Sequence, residues 1–80
     1  MLKVVSFLKV EFGKTSEILE NLRQIPEVVK VATVTGDYDM LIEIEVEDSE
    51  ALAQIFMKKV DIIEGIKDIH SNYVMRVWQK

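Results

Sequence analysis

The 80-residue sequence has no cysteine, one histidine (His70), one proline (Pro26) and three glycines. Without cysteine, disulfide bonds and thiolate metal sites are excluded, and a single imidazole cannot supply an all-protein zinc site. Three widely separated glycines cannot build a glycine-rich phosphate-binding loop. The composition therefore indicates no metal and no other cofactor, and we expect none.

Positive charge is also scarce: the chain has ten Lys and Arg residues against fourteen Asp and Glu residues, and its formal net charge is −4. Neutralising phosphates requires clustered positive charge, so this balance argues against direct binding of nucleic acid. No apolar run approaches the ~18 residues of a membrane-spanning helix, and the N-terminus has no signal-like pattern. We expect a cytoplasmic protein that binds neither nucleic acid nor membrane.

The chain is long enough for one domain, and 49% of its residues are hydrophobic. A domain of this size buries only about 60% of its unfolded surface and is marginally stable alone. Small domains gain further stability from disulfides, metals or self-association. Because the composition argues against the first two, we expect a homo-oligomer.

Hydrophobic periodicity divides the chain into six elements without a linker. Apolar runs rich in β-branched residues predict strands at Leu2–Val10, Val28–Thr35, Met40–Val46 and Ile66–Trp78. Apolar stripes at helical spacing predict a helix over Thr15–Ile25, capped by Thr15 or Ser16, and a second helix from an Asp48 or Ser49 cap to Gly65.

The order βαββαβ predicts a ferredoxin-like α+β sandwich, in which two helices cover one face of a four-stranded antiparallel sheet. The other face is expected to be mixed, with Leu41, Val5 and Phe7 apolar and Glu43 and Glu45 charged. A second copy covering the apolar part is the simplest way to bury that face. We therefore expect a dimer.

The turn between the second and third strands brings together more potential ligand-binding groups than any other part of the chain. Gly36 can adopt a positive φ, and Asp37 and Asp39 can accept hydrogen bonds from backbone N–H groups. In one interpretation the turn is only a hairpin connection. In the other, exposed N–H groups hold an α-carboxylate, an aspartate accepts from an α-ammonium, and Tyr38 forms a pocket wall.

Catalytic candidates are few. No serine has a nucleophile-elbow context, and His70 is the only histidine that could act as a base. Alternation puts Glu43, Glu45 and Glu47 on one strand face, where a solvated role is more common than a hydrolase pair. His70 is expected to pair with Asp68 on the same strand face. We expect no enzyme activity.

Several segments together resemble the regulation-of-amino-acid-metabolism (RAM) domain, the effector-binding half of Lrp/AsnC transcription regulators. They are Ile25–Val31 (I-P-E-V-V-K-V), Val34–Val46 (V-T-G-D-Y-D-M-L-I-E-I-E-V), Asp48–Leu52 (D-S-E-A-L) and Glu64–Ser71 (E-G-I-K-D-I-H-S). The resemblance covers nearly the whole chain. The helix-turn-helix that precedes this domain in full-length regulators has no counterpart, so we expect a single stand-alone domain over residues 1–80.

The resemblance implies a non-enzymatic domain that forms homodimers and higher oligomers such as octamers, and that binds a small effector, usually an amino acid, between dimers. It also suggests association with full-length Lrp/AsnC regulators through a shared interface. Family members often have two threonines where this chain has Ile69 and Ser71. The ligand-binding positions correspond to Thr35, Gly36, Asp37, Tyr38, Asp39 and Ser71.

Other classes of protein have the same βαββαβ order of elements. A small dimeric α+β barrel enzyme of the monooxygenase kind would have a cavity between sheet and helices, lined here by His70. A purely structural assembly module would have an inert interface. The ACT domain has the same strand order and also binds ligands at an interface.

Overall fold

A computed structural model describes all residues, Met1–Lys80. The elements are β1 (Leu2–Val10), α1 (Thr15–Arg23), β2 (Val28–Thr33), β3 (Met40–Val46), α2 (Ser49–Ile55), a π-helical turn (Phe56–Val60) and β4 (Ile66–Tyr73). The four strands lie in the order β2-β3-β1-β4, and every neighbouring pair is antiparallel. The predicted ferredoxin-like α+β sandwich is confirmed. No helix combines the length and apolar character needed to cross a membrane.

Two strands end earlier than the sequence predicts. β2 ends at Thr33, where its ladder with β3 stops. β4 ends at Tyr73 and not at Trp78, because β1 has almost no residue left to pair with it. The last bond runs from the Val74 N–H to the Lys3 carbonyl, at 2.9 Å. The chain beyond Val74 therefore continues past its own sheet.

The start of α1 also differs from the prediction. Neither Thr15 nor Ser16 caps it: Lys14 is the N-cap residue and its side chain makes no capping hydrogen bond. Lys14 is already helical (φ −103°, ψ −1°), whereas a capping side chain needs an extended backbone. Its ammonium instead lies 3.4 Å from Glu17, whose hydrogen bond and charge raise the pKa of Lys14. The helix ends at Arg23, short of the predicted boundary.

α2 begins at the predicted cap. The Asp48 carboxylate accepts from the Ala51 N–H at 2.8 Å. After Ile55 the helix widens into the π-helical turn, a change that the apolar stripe does not predict. A π turn holds one more residue than an α turn, and Val60 at its end is fully buried.

The core lies between the sheet and the helices. Gly65 (φ +102°) closes the connection after α2, and a Cβ there would lie 3.1 Å from both Ile18 Cδ1 and Lys14 Cβ. The backbone conformation therefore favours glycine, and a larger residue would also displace Ile18 or Lys14 by a few tenths of an ångström. The buried hydrophobic residues are Val4, Leu8, Ile18, Leu22, Ile25, Met40, Ile42, Ile44, Val46, Ile55, Val60 and Ile63.

The opposite face of the sheet has no covering element within the chain, and we refer to it as the open face. The half-buried side chains of Val5, Phe7, Leu41, Glu43 and Glu45 alternate with buried neighbours that face the helices. Their predicted placement on one face is therefore confirmed. The molecule is a plate of 34 × 31 × 18 Å, and its covering by a second copy stays a prediction.

Candidate functional site

The hairpin between β2 and β3 is shaped by Gly36. Its φ of +105° lies in the region that favours glycine, and a Cβ at this position would meet no atom within 4 Å. Glycine is therefore needed for the backbone conformation and not for space. The Val34 N–H donates to the Asp39 carbonyl at 3.0 Å and closes the base of the hairpin. Thr35, Gly36 and Asp37 form its exposed tip.

The two aspartates of the hairpin have different environments. The Asp39 N–H donates to the Leu8 carbonyl at 2.9 Å, and its carboxylate accepts from the Val10 N–H at 3.0 Å. These bonds fix the hairpin to the end of β1. Asp37 is exposed and makes no side-chain hydrogen bond or ion pair. The Asp37 carboxylate is therefore entirely free for a ligand, whereas one oxygen of the Asp39 carboxylate is engaged with the Val10 N–H.

Tyr38 bends from the hairpin back over the open face. Its ring centroid lies 5.7 Å from that of Phe7 and 5.4 Å from that of His70, which it meets edge-on. Lys9 Nζ lies 5.9 Å from the Tyr38 ring centroid, within cation–π range. Such aromatic pairs stabilise by about 0.5–1.5 kcal/mol beyond their burial. Tyr38 therefore joins the hairpin to β1 and β4 on the open face.

His70 lies beside Tyr38 on the open face and pairs with Asp68, as predicted. The distance from His70 Nε2 to Asp68 Oδ2 is 3.3 Å, and both side chains are at least half exposed. Asp68 also accepts from the Ile69 N–H at 3.0 Å. The monooxygenase alternative needs His70 between the sheet and the helices, and the structure has it on the other side of the sheet.

Ser71 faces the helix side. Its hydroxyl lies 2.7 Å from the hydroxyl of Ser6, which is fully buried in the core. Next to Ser71, a groove of about 470 Å³ runs between α2 and β4 and contains Leu52, Phe56 and Ile69 among its lining residues. Ser71 thus lies on the opposite side of the sheet from the Tyr38 ring. Within one chain, the hairpin and Ser71 do not form a common pocket.

Three neighbours of Tyr38, namely Phe7, Lys9 and His70, are missing from the sequence-based site. Phe7 lies directly opposite His70 in the register of β1 and β4, so a pairing of these strands would have identified the two as neighbours. No comparable signal indicates that Tyr38 folds onto them, because that depends on the path of the hairpin.

No group of three or more His, Cys, Asp or Glu side chains is placed to hold a metal ion.

Sequence comparison identifies relatives over most of the chain. A family model described as the Lrp/AsnC ligand binding domain matches residues 3–80. The HTH-type transcriptional regulator FL11 of Pyrococcus furiosus is 41% identical over 70 residues, which cover 88% of this chain and 46% of that protein. The chain therefore spans about half the length of the curated relatives it matches.

Solved structures share the fold. AsnC of E. coli superposes with a TM-score of 0.91 at 17% identity, covering 99% of this chain and 55% of that one. A transcriptional regulator of Neisseria meningitidis, solved as a complex with L-methionine, superposes with a TM-score of 0.88 at 20% identity, covering 99% and 53%. At these identities the likeness concerns the fold alone.

Proposed function

This chain belongs to the Lrp/AsnC ligand binding domain family, and from that premise we propose that it is a non-enzymatic effector-binding and oligomerisation domain. Its role would be to modulate transcription regulation of the Lrp/AsnC type in the cytoplasm. The L-methionine complex of the Neisseria regulator supports a small-molecule effector, and an amino acid in particular, while the name of FL11 supports a role in transcription regulation. A single domain over residues 1–80 is part of this proposal.

The observation that carries the proposal is the hairpin tip. The positive φ of Gly36 turns the backbone at an exposed position, where successive N–H groups can hold an α-carboxylate. Asp37 offers an unengaged carboxylate to an α-ammonium, and Tyr38 borders the tip with an aromatic ring. Thr35 adds a hydroxyl, while Asp39 contributes by fixing the hairpin to β1.

The proposed pocket is completed by neighbouring subunits. Ser71 lies on the far side of its own sheet, so it joins this pocket only if it comes from another subunit. We propose that the open faces pair to form dimers, and that effectors bind between dimers in a larger assembly such as an octamer. A ligand that contacts two subunits stabilises the assembled form by mass action. Full-length Lrp/AsnC regulators would join through the same surfaces.

Thermal shift with the proteinogenic amino acids at millimolar concentration tests this function. At least one amino acid should raise the melting temperature of the wild-type protein. Asp37→Asn should weaken that response at least about tenfold in ligand concentration, because it removes the partner of the α-ammonium. Glu50→Gln, which neutralises an exposed and unpaired carboxylate on α2, is the matched control and should respond like the wild type.

Light scattering on the same samples measures assembly. The responding amino acid should shift the mass distribution towards larger species in the wild type. If no amino acid changes either melting temperature or mass, binding of an amino acid is refuted, and only the association with full-length Lrp/AsnC regulators remains of the proposed function.

A further inference from the structure

The C-terminal segment Val74–Lys80, here the arm, has no partner in its own chain beyond the bond from Val74 to Lys3. Its apolar side chains after Val74 are largely solvated: Met75 is 93% exposed, Trp78 80% and Val77 61%. At about 3.3 Å per residue, an extended arm reaches roughly 20 Å beyond β4. Strand-forming residues with this exposure are typical of a segment that binds another surface.

Strand alternation assigns two different sides to the arm. His70 faces the open side of the sheet, as its contact with Tyr38 shows. β4 ends at Tyr73, and we take the arm to keep the extended alternation of β4 when it binds, which puts Arg76, Trp78 and Lys80 on the open side and Met75 on the helix side. One side of the arm therefore carries two cations around an aromatic ring.

The open face has the complementary chemistry at the same end of the sheet. The arm leaves β4 next to Lys3, and Lys3 lies opposite Glu45 in the ladder of β1 and β3. Glu43 has a partner in Lys30, at 3.7 Å. Glu45 is half-buried and forms no ion pair within the chain. Apolar Val5 lies beside these carboxylates on the neighbouring strand.

We propose that the arm crosses to a second copy of this chain and packs Arg76, Trp78 and Lys80 against the partner's open face, with Arg76 at the partner's Glu45. This inference rests on the proposed pairing through the open faces. A two-fold axis makes the contact reciprocal, so each arm covers the other sheet. A face measuring 34 × 31 Å can supply the ~800 Å² per partner that a stable interface buries.

A charge exchange tests the contact. Arg76→Glu and Glu45→Lys should each raise the dimer dissociation constant at least about tenfold, because each brings like charges together. The double variant Arg76→Glu with Glu45→Lys should return the constant to within about threefold of wild type, since it restores the pair in reverse. Lys58→Glu, the same reversal on the helix side, is the control. Sedimentation velocity over a concentration series measures all of these.

A second pair of variants tests the aromatic contact without changing charge. Trp78→Ala should weaken the dimer about 30-fold, as a central aromatic anchor does, whereas Met75→Ala on the other side of the arm should leave it within about threefold. Equal effects of the two variants would overturn the assignment of sides. If the double variant dimerises no more tightly than the single variants Arg76→Glu and Glu45→Lys, the pairing of Arg76 with Glu45 is overturned.

The failures of the two proposals can be distinguished. If no arm variant changes the dimer dissociation constant, the contact of the arm with a second copy is refuted, and the proposed pairing of open faces is unaffected. A wild-type monomer at micromolar concentration refutes both. The amino-acid response of the hairpin is measured separately, by thermal shift on the wild-type protein, so its absence there does not decide whether the arm contacts a second copy.

Discussion

Replacing the hairpin aspartates one at a time separates the residue that fixes the fold from the one that is free for a ligand. Asp39→Ala removes the acceptor of the Val10 N–H, a bond of 3.0 Å at the surface. The backbone bond from Asp39 to Leu8 remains, because it does not involve the side chain. Asp37→Ala removes a carboxylate that makes no hydrogen bond or ion pair in the chain.

The magnitude follows from the exposure of the bond. A hydrogen bond to a charged group contributes about 1.5–3 kcal/mol, and solvent screening at an exposed site reduces this. We therefore expect Asp39→Ala to lower the free energy of unfolding by about 1 kcal/mol, which is roughly 4–8 °C in a domain of this size. Asp39→Asn should lose less, because its amide oxygen still accepts. Asp37→Ala should stay within about 0.5 kcal/mol.

Urea unfolding followed by far-ultraviolet circular dichroism measures these differences at one fixed protein concentration. The concentration must be constant because self-association changes apparent stability. Trp78 is 80% exposed in the folded chain and so makes a poor fluorescent probe of its core. If Asp37→Ala destabilises as much as Asp39→Ala, the division of roles between the two carboxylates is wrong.

Two further substitutions test the backbone and the core beside the site. Gly36→Val should cost about 1–3 kcal/mol, because a β-branched residue is strained at a φ of +105°; an unchanged melting temperature would contradict that conformation. Ser71→Ala should cost about 1–3 kcal/mol, because it leaves the buried Ser6 hydroxyl without its partner at 2.7 Å. Adding Ser6→Ala should recover part of that loss in a double-mutant cycle, and strict additivity would show that the two hydroxyls do not interact.

Local patterns were enough to predict the strands β1 and β3 and the start of α2. Alternation along Met40–Val46 assigns its buried and open sides correctly, because the side-chain period of a strand is two. The positive φ at Gly36 and the Asp48 cap also follow from local chemistry. Each of these features depends on residues close together in the chain.

The predictions from sequence that were wrong concern features that depend on residues far away in the chain. β4 ends at Tyr73 because β1 begins at Leu2, and no property of the residues after Tyr73 indicates this. Lys14 starts α1 in a helical conformation, close to Gly65 from the other half of the chain. The position of Ser71 on the helix side follows from its register with Ser6, which requires the pairing of the first and last strands.

Tyr38 limits how strongly an effector at the hairpin can influence pairing through the open face. The tip and the open face are linked through its contacts with Phe7, His70 and Lys9. A ligand shifts an equilibrium only by its differential interaction with the two states, and the two aromatic contacts, with Phe7 and His70, together contribute about 1–3 kcal/mol. Under the proposed function, an effector that repositions Tyr38 should therefore change the dimer dissociation constant by about 5–150-fold. Tyr38→Ala should abolish this change while leaving ligand contacts at Asp37 in place, so coupling that survives in this variant must run through direct bridging of subunits by the ligand.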